Sequence, residues 1–476
     1  MLFNSLEFLV FLPVVFALYW SLARFPRWQN LLVVVASYVF YGWWDWRFLG
    51  LIAFTSAWSY AAGVLDGRCN PRQKRILLAS SLVVNLGILG TFKYYNFFVE
   101  SALAVLGTLG FDPHPAFIQI ALPVGISFYT FQALSYSIDV CRGAIKPTRD
   151  PVAFFAFISF FPQLVAGPIE RATNLLPQFL SPRKFDCALA VEGCRQVLWG
   201  FFKKIVIADS CAAAANSLLG MDRPSCISLW VGMVMFAIQI YGDFSGYSDI
   251  AIGCGKLFGV RLMRNFAAPY FSRDIAEFWR RWHISLTTWF RDYVYIPLGG
   301  SRCGTARKVR NTFVVFLVSG LWHGANWTFV VWGLFHACLF LPLLLLKQNR
   351  KYVGNVVAEG RYLPTFGELW RMASTFFLVV VGWTFFRAPD ISTAGRWISK
   401  MFSLSDWRLS GTGLGHVGTD VLAVLAAFFL VEWFNRDREI PRLPRNKALR
   451  ILVYYGLIFV ILYWTSAPQS FIYFQF

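Results

Sequence analysis

Charged side chains are scarce in this sequence. Asp, Glu, Lys and Arg make up 14% of its 476 residues, whereas apolar residues reach 57%. Because a soluble domain usually carries about 25% charged residues, we expect most of this chain not to be exposed to water. The shortage of charge argues against a soluble globular protein and predicts a chain that lies largely within lipid.

The sequence also lacks the cysteine patterns of metal sites and disulfide frameworks. Its nine cysteines form no Cys-x-x-Cys pair and no Cys/His cluster with metal-ligand spacing. Several lie in apolar segments, where cysteine behaves as a small hydrophobic residue. We therefore expect no metal centre.

Long apolar blocks, nearly free of charge, fill much of the chain. A bilayer span takes roughly 20 such residues, and on this criterion we predict about ten to twelve spans. We expect one all-α membrane domain over residues 1–476, with core motifs in 120–340 and further spans in 370–476. The clearest blocks are Phe8–Ala23, Leu31–Trp44, Ile76–Phe92, Phe313–Trp327, Phe376–Phe386, Val421–Phe434 and Ile451–Trp464.

The net charge of +19 does not predict nucleic-acid binding, because the basic residues collect in short loops between apolar blocks. These loops lie within Arg68–Arg75, Arg142–Arg149 and Arg436–Arg450. The positive-inside rule places such loops in the cytoplasm. The partner that this distribution predicts is the lipid bilayer.

Three segments combine Pro, Gly and polar residues in a way that interrupts a plain helical pattern. They are Leu122–Gln132, Phe161–Arg171 and Tyr241–Asp249. Each is either an ordinary kink at a helix contact or a segment that lines a wet cavity. Asp243 and Asp249 favour a functional role for the third segment, since carboxylates within a membrane are costly.

Only five histidines occur in the chain. His114 and His416 lie in loops rich in Pro or Gly and read as solvated loop residues. His336 lies on an apolar helix, where packing and function are equally good explanations. His323 is different, because it lies between two apolar stretches within Ser319–Trp327, and an imidazole exchanges protons near neutral pH. If this segment is helical, Asn326 lies one turn away and could orient the ring or a substrate.

The stretch Asp274–Pro297 reads as one amphipathic helix, with aromatic residues on one face and arginines on the other. His283 falls at the border between the two faces. One interpretation is a helix in the cytoplasmic interface, with arginines reaching the lipid headgroups. The other is a helix that presents His283 to a reaction chamber while residues such as Arg291 attract an anionic donor.

Several stretches carry a specific resemblance when they are taken together and in this order. They are FLPVVFALYW, LVVVASYVFYGWWD, LPVGISFYTFQALSYSIDV, FPQLVAGPIER, QIYGDFSGYSDIAIG, NFAAPYFSRDIAEFWRRWHISLTTWFRDYVYIPLGG and SGLWHGANW. The sequence resembles the membrane-bound O-acyltransferase family over nearly its whole length. The similarity is to the bacterial branch with alginate O-acetyltransferases and teichoic acid D-alanylation proteins.

The resemblance implies a ring of about 11 transmembrane helices, with re-entrant and amphipathic helices around a central tunnel. It implies that His323, in the Trp-His-Gly position, is the essential catalytic histidine. His283 would hold the family's second polar position. The residues expected to support catalysis or position substrate are Asn326, Trp322, Asp243, Ser245, Arg291 and Asp292.

The implied chemistry is transfer of an acetyl group from a thioester donor, acetyl-CoA or another acyl thioester, to a hydroxyl. A hydroxyl is a weak nucleophile, so a base must take its proton while the oxyanion is stabilised. His323 is the expected base, acting on a sugar hydroxyl or on a relay protein's Ser. His283 or Asn326 would polarise the carbonyl or orient His323. A Gly-x-Ser-x-Gly elbow is missing, so a hydrolase-type Ser triad is not expected, and neither is a bound cofactor.

The resemblance further implies a multi-pass enzyme of the bacterial inner membrane. It would work with periplasmic acetyltransferase partners and a polysaccharide synthase or export complex. Alginate is the expected acceptor, with bacterial cellulose next and peptidoglycan still open. The alternative is a transporter, a flippase or a scaffold of the export complex. The lack of detectable inverted repeats counts against transport.

Overall fold

The structure is a computed structural model that describes residues 1–67, 69–111, 120–165, 167–403, 417–465 and 471. All regular elements in these ranges are helices, which confirms the predicted all-α class. His114 and His416 lie outside the described residues.

Nineteen α-helices occur in the described residues. The first nine are α1 Leu6–Ser21, α2 Pro26–Asp45, α3 Leu49–Asp66, α4 Pro71–Thr108, α5 Ile126–Cys141, α6 Pro151–Ser159, α7 Phe161–Leu164, α8 Ala172–Leu180 and α9 Cys187–Phe201. The others are α10 Asp209–Leu219, α11 Cys226–Leu257, α12 Ile275–Arg281, α13 Ile284–Phe290, α14 Thr305–His323, α15 Trp327–Leu345, α16 Phe366–Arg387, α17 Ile391–Met401, α18 Thr419–Phe434 and α19 Lys447–Trp464. Residues Phe202–Ala208 and Arg291–Tyr295 form π-helices.

Six helical stretches in the described part of the chain are long and apolar enough to cross a bilayer. They are Pro26–Asp66, Pro71–Thr108, Cys226–Leu257, Trp327–Leu345, Phe366–Arg387 and Lys447–Trp464. Helix α1 is apolar too but has only 16 residues. The polytopic character predicted from the sequence is confirmed. The ring of about 11 spans and the tunnel stay predictions.

The chain divides into two compact units. One consists of residues 1–193 and 251–263, and the other of residues 194–250 and 264–476. An aromatic cluster forms part of the first unit's core, where the ring of Phe258 meets Tyr19 and Phe161 nearly at right angles. The second unit contains both histidines implied in catalysis. The prediction of one domain over the whole chain stays a prediction.

The interruption predicted for Tyr241–Asp249 is wrong, because these residues lie inside the continuous helix α11. Their glycines serve close packing. A Cβ atom on Gly246 would lie 2.8 Å from the carbonyl oxygen of Gly200. Small residues that let two helix backbones approach are common in membrane proteins, and here they were misread as helix breaks. The Leu122–Gln132 segment is not helical throughout, since α5 begins only after Gly125, whose φ is +74°.

Helices α14 and α15 form a closely packed antiparallel pair. A Cβ atom on Gly320 would clash with the carbonyl oxygen of Phe329, and one on Gly333 would clash with that of Phe316. The two backbones therefore touch where these glycines lie. His323 is the last residue of α14, so this contact determines where its ring is placed.

We expect Gly333→Ala to destabilise the protein by about 1–3 kcal/mol, the usual cost of overpacking. Gly456→Ala is a matched control, because Gly456 lies within helix α19 with open space around it. The midpoint of thermal unfolding of each purified variant in detergent measures the effect. Equal midpoints for the two variants would contradict the close contact.

Candidate active site

His323 lies where helix α14 ends. The next residue, Gly324, is extended and α15 begins at Trp327, so the imidazole projects from a tight connection between two packed helices. Its side chain is buried among aromatic rings. The ring centroids of Trp332 and Phe386 lie 5.1 Å and 5.3 Å away.

His283 lies in a break of the helix predicted over Asp274–Pro297, and that prediction of one amphipathic helix is wrong. Helix α12 ends at Arg281, and α13 begins at Ile284. Between them His283 has a φ of +45°, the left-handed region that non-glycine residues rarely adopt. The imidazole is 1% exposed, so it lies inside the protein and not at the border of two faces.

Hydrogen bonds beyond those of a continuous helix explain why this break is tolerated. The side chain of Asp274 accepts a hydrogen bond from the backbone of Glu277 and begins α12. At the other end, the backbone N–H of Ile284 donates to the carbonyl of Asn265, 2.9 Å away. Tertiary contacts thus take over backbone hydrogen bonds that a continuous helix would make within itself.

The two histidines lie close together. Their ring centroids are 6.5 Å apart. Trp322 contacts both rings, at 5.7 Å from His283 and 4.9 Å from His323, which gives this predicted residue a place in the wall of the site. Phe244 covers His283 nearly at a right angle, with 4.7 Å between centroids.

The aromatic surroundings keep His283 neutral. His283 lies outside the six candidate spans, and burial holds the pKa of its imidazole well below the ordinary value. Desolvation disfavours the charged form of a buried imidazole. His283 is therefore uncharged near neutral pH and can act as a hydrogen-bond acceptor through whichever ring nitrogen lacks the proton.

Asn265 supports His283 and was missed from the sequence. Its Oδ1 lies 3.0 Å from His283 Nδ1 and accepts the hydroxyl hydrogen of Ser285 at 2.9 Å. Its Nδ2 donates to Ser248 Oγ at 3.1 Å. One feature of the sequence could have indicated this role. Asn265 begins the otherwise apolar Asn-Phe-Ala-Ala-Pro stretch, where a buried amide without a hydrogen-bond partner would be costly.

Buried ion pairs surround Asp243 and Ser245. Lys204 Nζ lies 2.9 Å from both Asp243 Oδ1 and Asp209 Oδ1. The neighbouring Lys203 pairs with Asp249 at 2.6 Å and donates to Ser245 Oγ at 3.3 Å.

Asp243 and Ser245 therefore belong to a charge network between α11 and the π-helix Phe202–Ala208. The two lysines were missed from the sequence, although two adjacent lysines within an apolar stretch predict buried charges that need partners.

Asn326 occupies another place than predicted. Asn326 is not one helical turn from His323, because α14 has already ended. Its side chain caps α15 by accepting from Thr328 N, and it donates to the carbonyl of Pro389. Arg291, whose side chain is mostly exposed, pairs with the half-buried Asp292 at 2.6 Å. The predicted roles of these two residues stay predictions, and Arg291 lines the cavity described below.

His336 is buried in a cluster of aromatic rings. The centroids of Trp279 and Trp332 each lie 5.0 Å from its own. Trp332 also contacts His323, so His336 lies one ring behind the catalytic candidate. This arrangement favours the packing explanation over a direct part in catalysis.

A cavity of about 930 Å³ reaches the residue next to His283. Ile284, the residue after His283, and Trp279 line it. Four arginines also line it, and none of the described residues in its wall is Asp or Glu. The four are Arg280, Arg291, Arg302 and Arg350. An apolar cavity with a basic rim suits a ligand that carries an anionic group and an apolar portion.

We expect Lys203→Met to lower the free energy of unfolding by about 3–5 kcal/mol, because it leaves the buried Asp249 carboxylate without its cation. The double variant Lys203→Met/Asp249→Leu should regain much of that loss. Arg47→Gln, at the exposed pair with Asp45, is the control and should change little. Thermal unfolding of the purified variants in detergent is the measurement, and a single variant as stable as the control would refute a structural role for the network.

Comparison with known proteins gives consistent results. The sequence profile of the membrane-bound O-acyltransferase family matches residues 143–354. The chain is 43% identical over 455 residues to a probable alginate O-acetylase AlgI of Pseudomonas putida, covering 93% of this chain and 90% of that protein.

More distant relatives carry other names. The chain is 33% identical to a peptidoglycan O-acetyltransferase of Helicobacter pylori, covering 88% of this chain and 82% of that protein. It is 29% identical over 256 residues to a teichoic acid D-alanyltransferase of Bacillus subtilis, covering 50% and 63%. With a buried histidine pair in an all-helical polytopic chain, these similarities show that the protein belongs to the membrane-bound O-acyltransferase family and is an O-acyltransferase.

Proposed function

We propose that this enzyme transfers an acetyl group from a thioester donor to a hydroxyl in the O-acetylation of an exopolysaccharide. The observation that carries the proposal is the pair His283 and His323, buried 6.5 Å apart within aromatic walls. Relatives that the chain matches over about nine-tenths of its length are named alginate O-acetylases, so alginate is the first acceptor to test. Bacterial cellulose is the next.

His323 is the proposed general base. It takes the proton from the attacking hydroxyl as the oxygen bonds to the acyl carbon, either on the sugar or on a relay protein's Ser. The tetrahedral intermediate then collapses, the carbon–sulfur bond breaks, and His323 returns the proton to the leaving thiolate. An ester and a free thiol are the products, so atoms and protons balance without another reactant.

The arginine-lined cavity is the proposed site for the acyl donor. Acetyl-CoA and carrier-bound phosphopantetheine thioesters both combine phosphate groups with a long arm that carries the thioester. Arg302 and Arg350 can bind phosphate by charge-assisted hydrogen bonds. The arm can then follow the apolar wall towards Ile284, which adjoins His283.

We also propose that the enzyme works in the bacterial inner membrane. Its basic loops would face the cytoplasm, where acyl thioesters are made. The acetyl group would leave on the periplasmic side, with periplasmic acetyltransferase proteins and a polysaccharide export complex as partners. In this arrangement the histidine site would lie between the cytoplasm, which supplies the donor, and the periplasm, which holds the acceptor.

We expect His323→Ala to abolish the O-acetyl esters of the exopolysaccharide while the polymer yield stays normal, because the hydroxyl loses its base. Cells that carry wild type, His323→Ala or the remote variant Gly456→Ala are compared at matched protein levels in the membrane. Unchanged acetylation in the His323 variant would refute the proposed base. Loss of the polymer itself would favour a transporter or a scaffold of the export complex.

We expect Arg302→Gln and Arg350→Gln each to raise the KM for the acyl donor roughly three- to tenfold with kcat little changed, since one charge-assisted hydrogen bond to phosphate is lost. Purified enzyme in nanodiscs and a radiolabelled acetyl thioester provide the assay. Arg361→Gln is the control, because Arg361 pairs with Glu368 at the surface and does not line the cavity. A KM equal to that of the control would place the donor elsewhere.

A further inference from the structure

Asn265 makes an unusual number of contacts around His283. One oxygen, Oδ1, lies within hydrogen-bond distance of three groups: the Nδ1 atom of His283, the hydroxyl of Ser285 and the backbone nitrogen of Ser285. The side chain is fully buried. A buried amide that serves several neighbours at once fixes the orientation of each.

The backbone nitrogen of Ser285 identifies which atom of the amide is the oxygen. A backbone N–H can only donate, and it lies 3.4 Å from Oδ1. At the other end of the amide, Nδ2 lies 3.1 Å from Ser248 Oγ, which can accept. The opposite orientation would place two N–H groups against each other, so the network assigns the atoms as given.

This assignment fixes the tautomer of His283. Because Oδ1 is an acceptor, Nδ1 of the neutral imidazole must carry the proton and donate it to Asn265. Nε2 therefore bears the lone pair. It is buried and has no hydrogen-bond partner within the part of the chain that the structure describes. Phe244 and Trp322 hold the ring by its faces and edges, so Nε2 keeps one direction.

A lone pair at Nε2 changes the part that His283 can play. A neutral imidazole in this tautomer cannot donate a hydrogen bond through Nε2, so it cannot polarise an acyl carbonyl. It can accept one. The ring centroids of the two histidines lie 6.5 Å apart, close enough for one bound substrate to contact both imidazoles.

We propose that Asn265 is a positioning residue, which holds His283 as the Nδ1–H tautomer so that Nε2 accepts a hydrogen bond from a substrate O–H or N–H group. This inference rests on the proposed acyl transfer and adds a role for the second histidine. The bound group is either a hydroxyl of the acceptor other than the attacking one, whose proton goes to His323, or the amide N–H of the donor's pantetheine arm. In both cases the contact orients the substrate against His323, which takes the proton.

The tautomer itself is measured by ¹⁵N NMR of histidine-labelled enzyme in nanodiscs. The two neutral tautomers give different shifts at Nδ1 and Nε2, and loss of one signal set in His283→Gln assigns it. We expect the Nδ1–H form in wild type and a mixture of forms in Asn265→Ala. An Nε2–H form in the wild type would overturn the proposal. This measurement does not require transferase activity, so it separates the inference from the proposed function.

Steady-state kinetics test the consequence for transfer. We expect Asn265→Ala to lower kcat roughly 10- to 1000-fold. The lower limit corresponds to the loss of one hydrogen bond, and the upper limit corresponds to the loss of control over the tautomer. Asn265→Asp, which keeps an acceptor for His283, should recover most of kcat. Asn85→Ala is the matched control, since it also removes a buried amide, one that bonds to the carbonyl of Ser81 within the first unit, and it should keep nearly full activity.

The kinetic results also distinguish the two substrate sources. A KM rise in His283→Gln for the thioester alone indicates the donor's amide, and one for the acceptor alone indicates its hydroxyl. Wild-type kcat in Asn265→Ala, or an Asn265→Asp variant no better than Asn265→Ala at equal thermal stability, would overturn the positioning role.

Discussion

Satisfying polar groups without water is the constraint on which the rest of this structure depends. A chain within lipid must find partners for its buried charges and amides among its own residues. Helix α11 supplies many of them in the second unit. Asp249 pairs with Lys203, and the adjacent Ser248 accepts from Asn265. The charge network and the support of His283 thus begin at neighbouring positions of one helix, so a shift of α11 would disturb both.

The two histidines are held by different physical means. His323 owes its place to backbone packing, because glycines let α14 and α15 touch just before the turn. His283 has a strained φ of +45° and is held by the hydrogen bond between its Nδ1 and Asn265 Oδ1. Strain of this kind costs of order 1–3 kcal/mol and persists only where surrounding contacts determine it. The pair therefore combines a packing contact with a polar network, and each is sensitive to a different class of substitution.

The sequence predicts the helical membrane class well, because apolar blocks are a local signal. The catalytic role of His323 stays a prediction. It fails where tertiary contacts decide the backbone. The break at His283 depends on Asn265, 18 residues away, which no helical periodicity reveals. The glycines of α11 were read as breaks because glycine weakens a helix and also permits close contact, and only the neighbouring backbone distinguishes these roles. Asn326 was placed by assuming a helix that ends three residues earlier.

The aromatic surroundings of the histidines suit the proposed proton transfer. A general base must be neutral before the reaction, and nearby anions would favour the protonated imidazolium. Around His323 the structure places Trp322, Trp332 and Phe386. The lysines and carboxylates pair with each other along α11, and the arginines line the neighbouring cavity. In the proposed reaction an anionic donor would be attracted to the cavity and its thioester end would reach the aromatic surroundings of the histidines, where hydrogen bonds to a developing oxyanion are strong. A carboxylate introduced beside His323 would favour the imidazolium and weaken the proposed base.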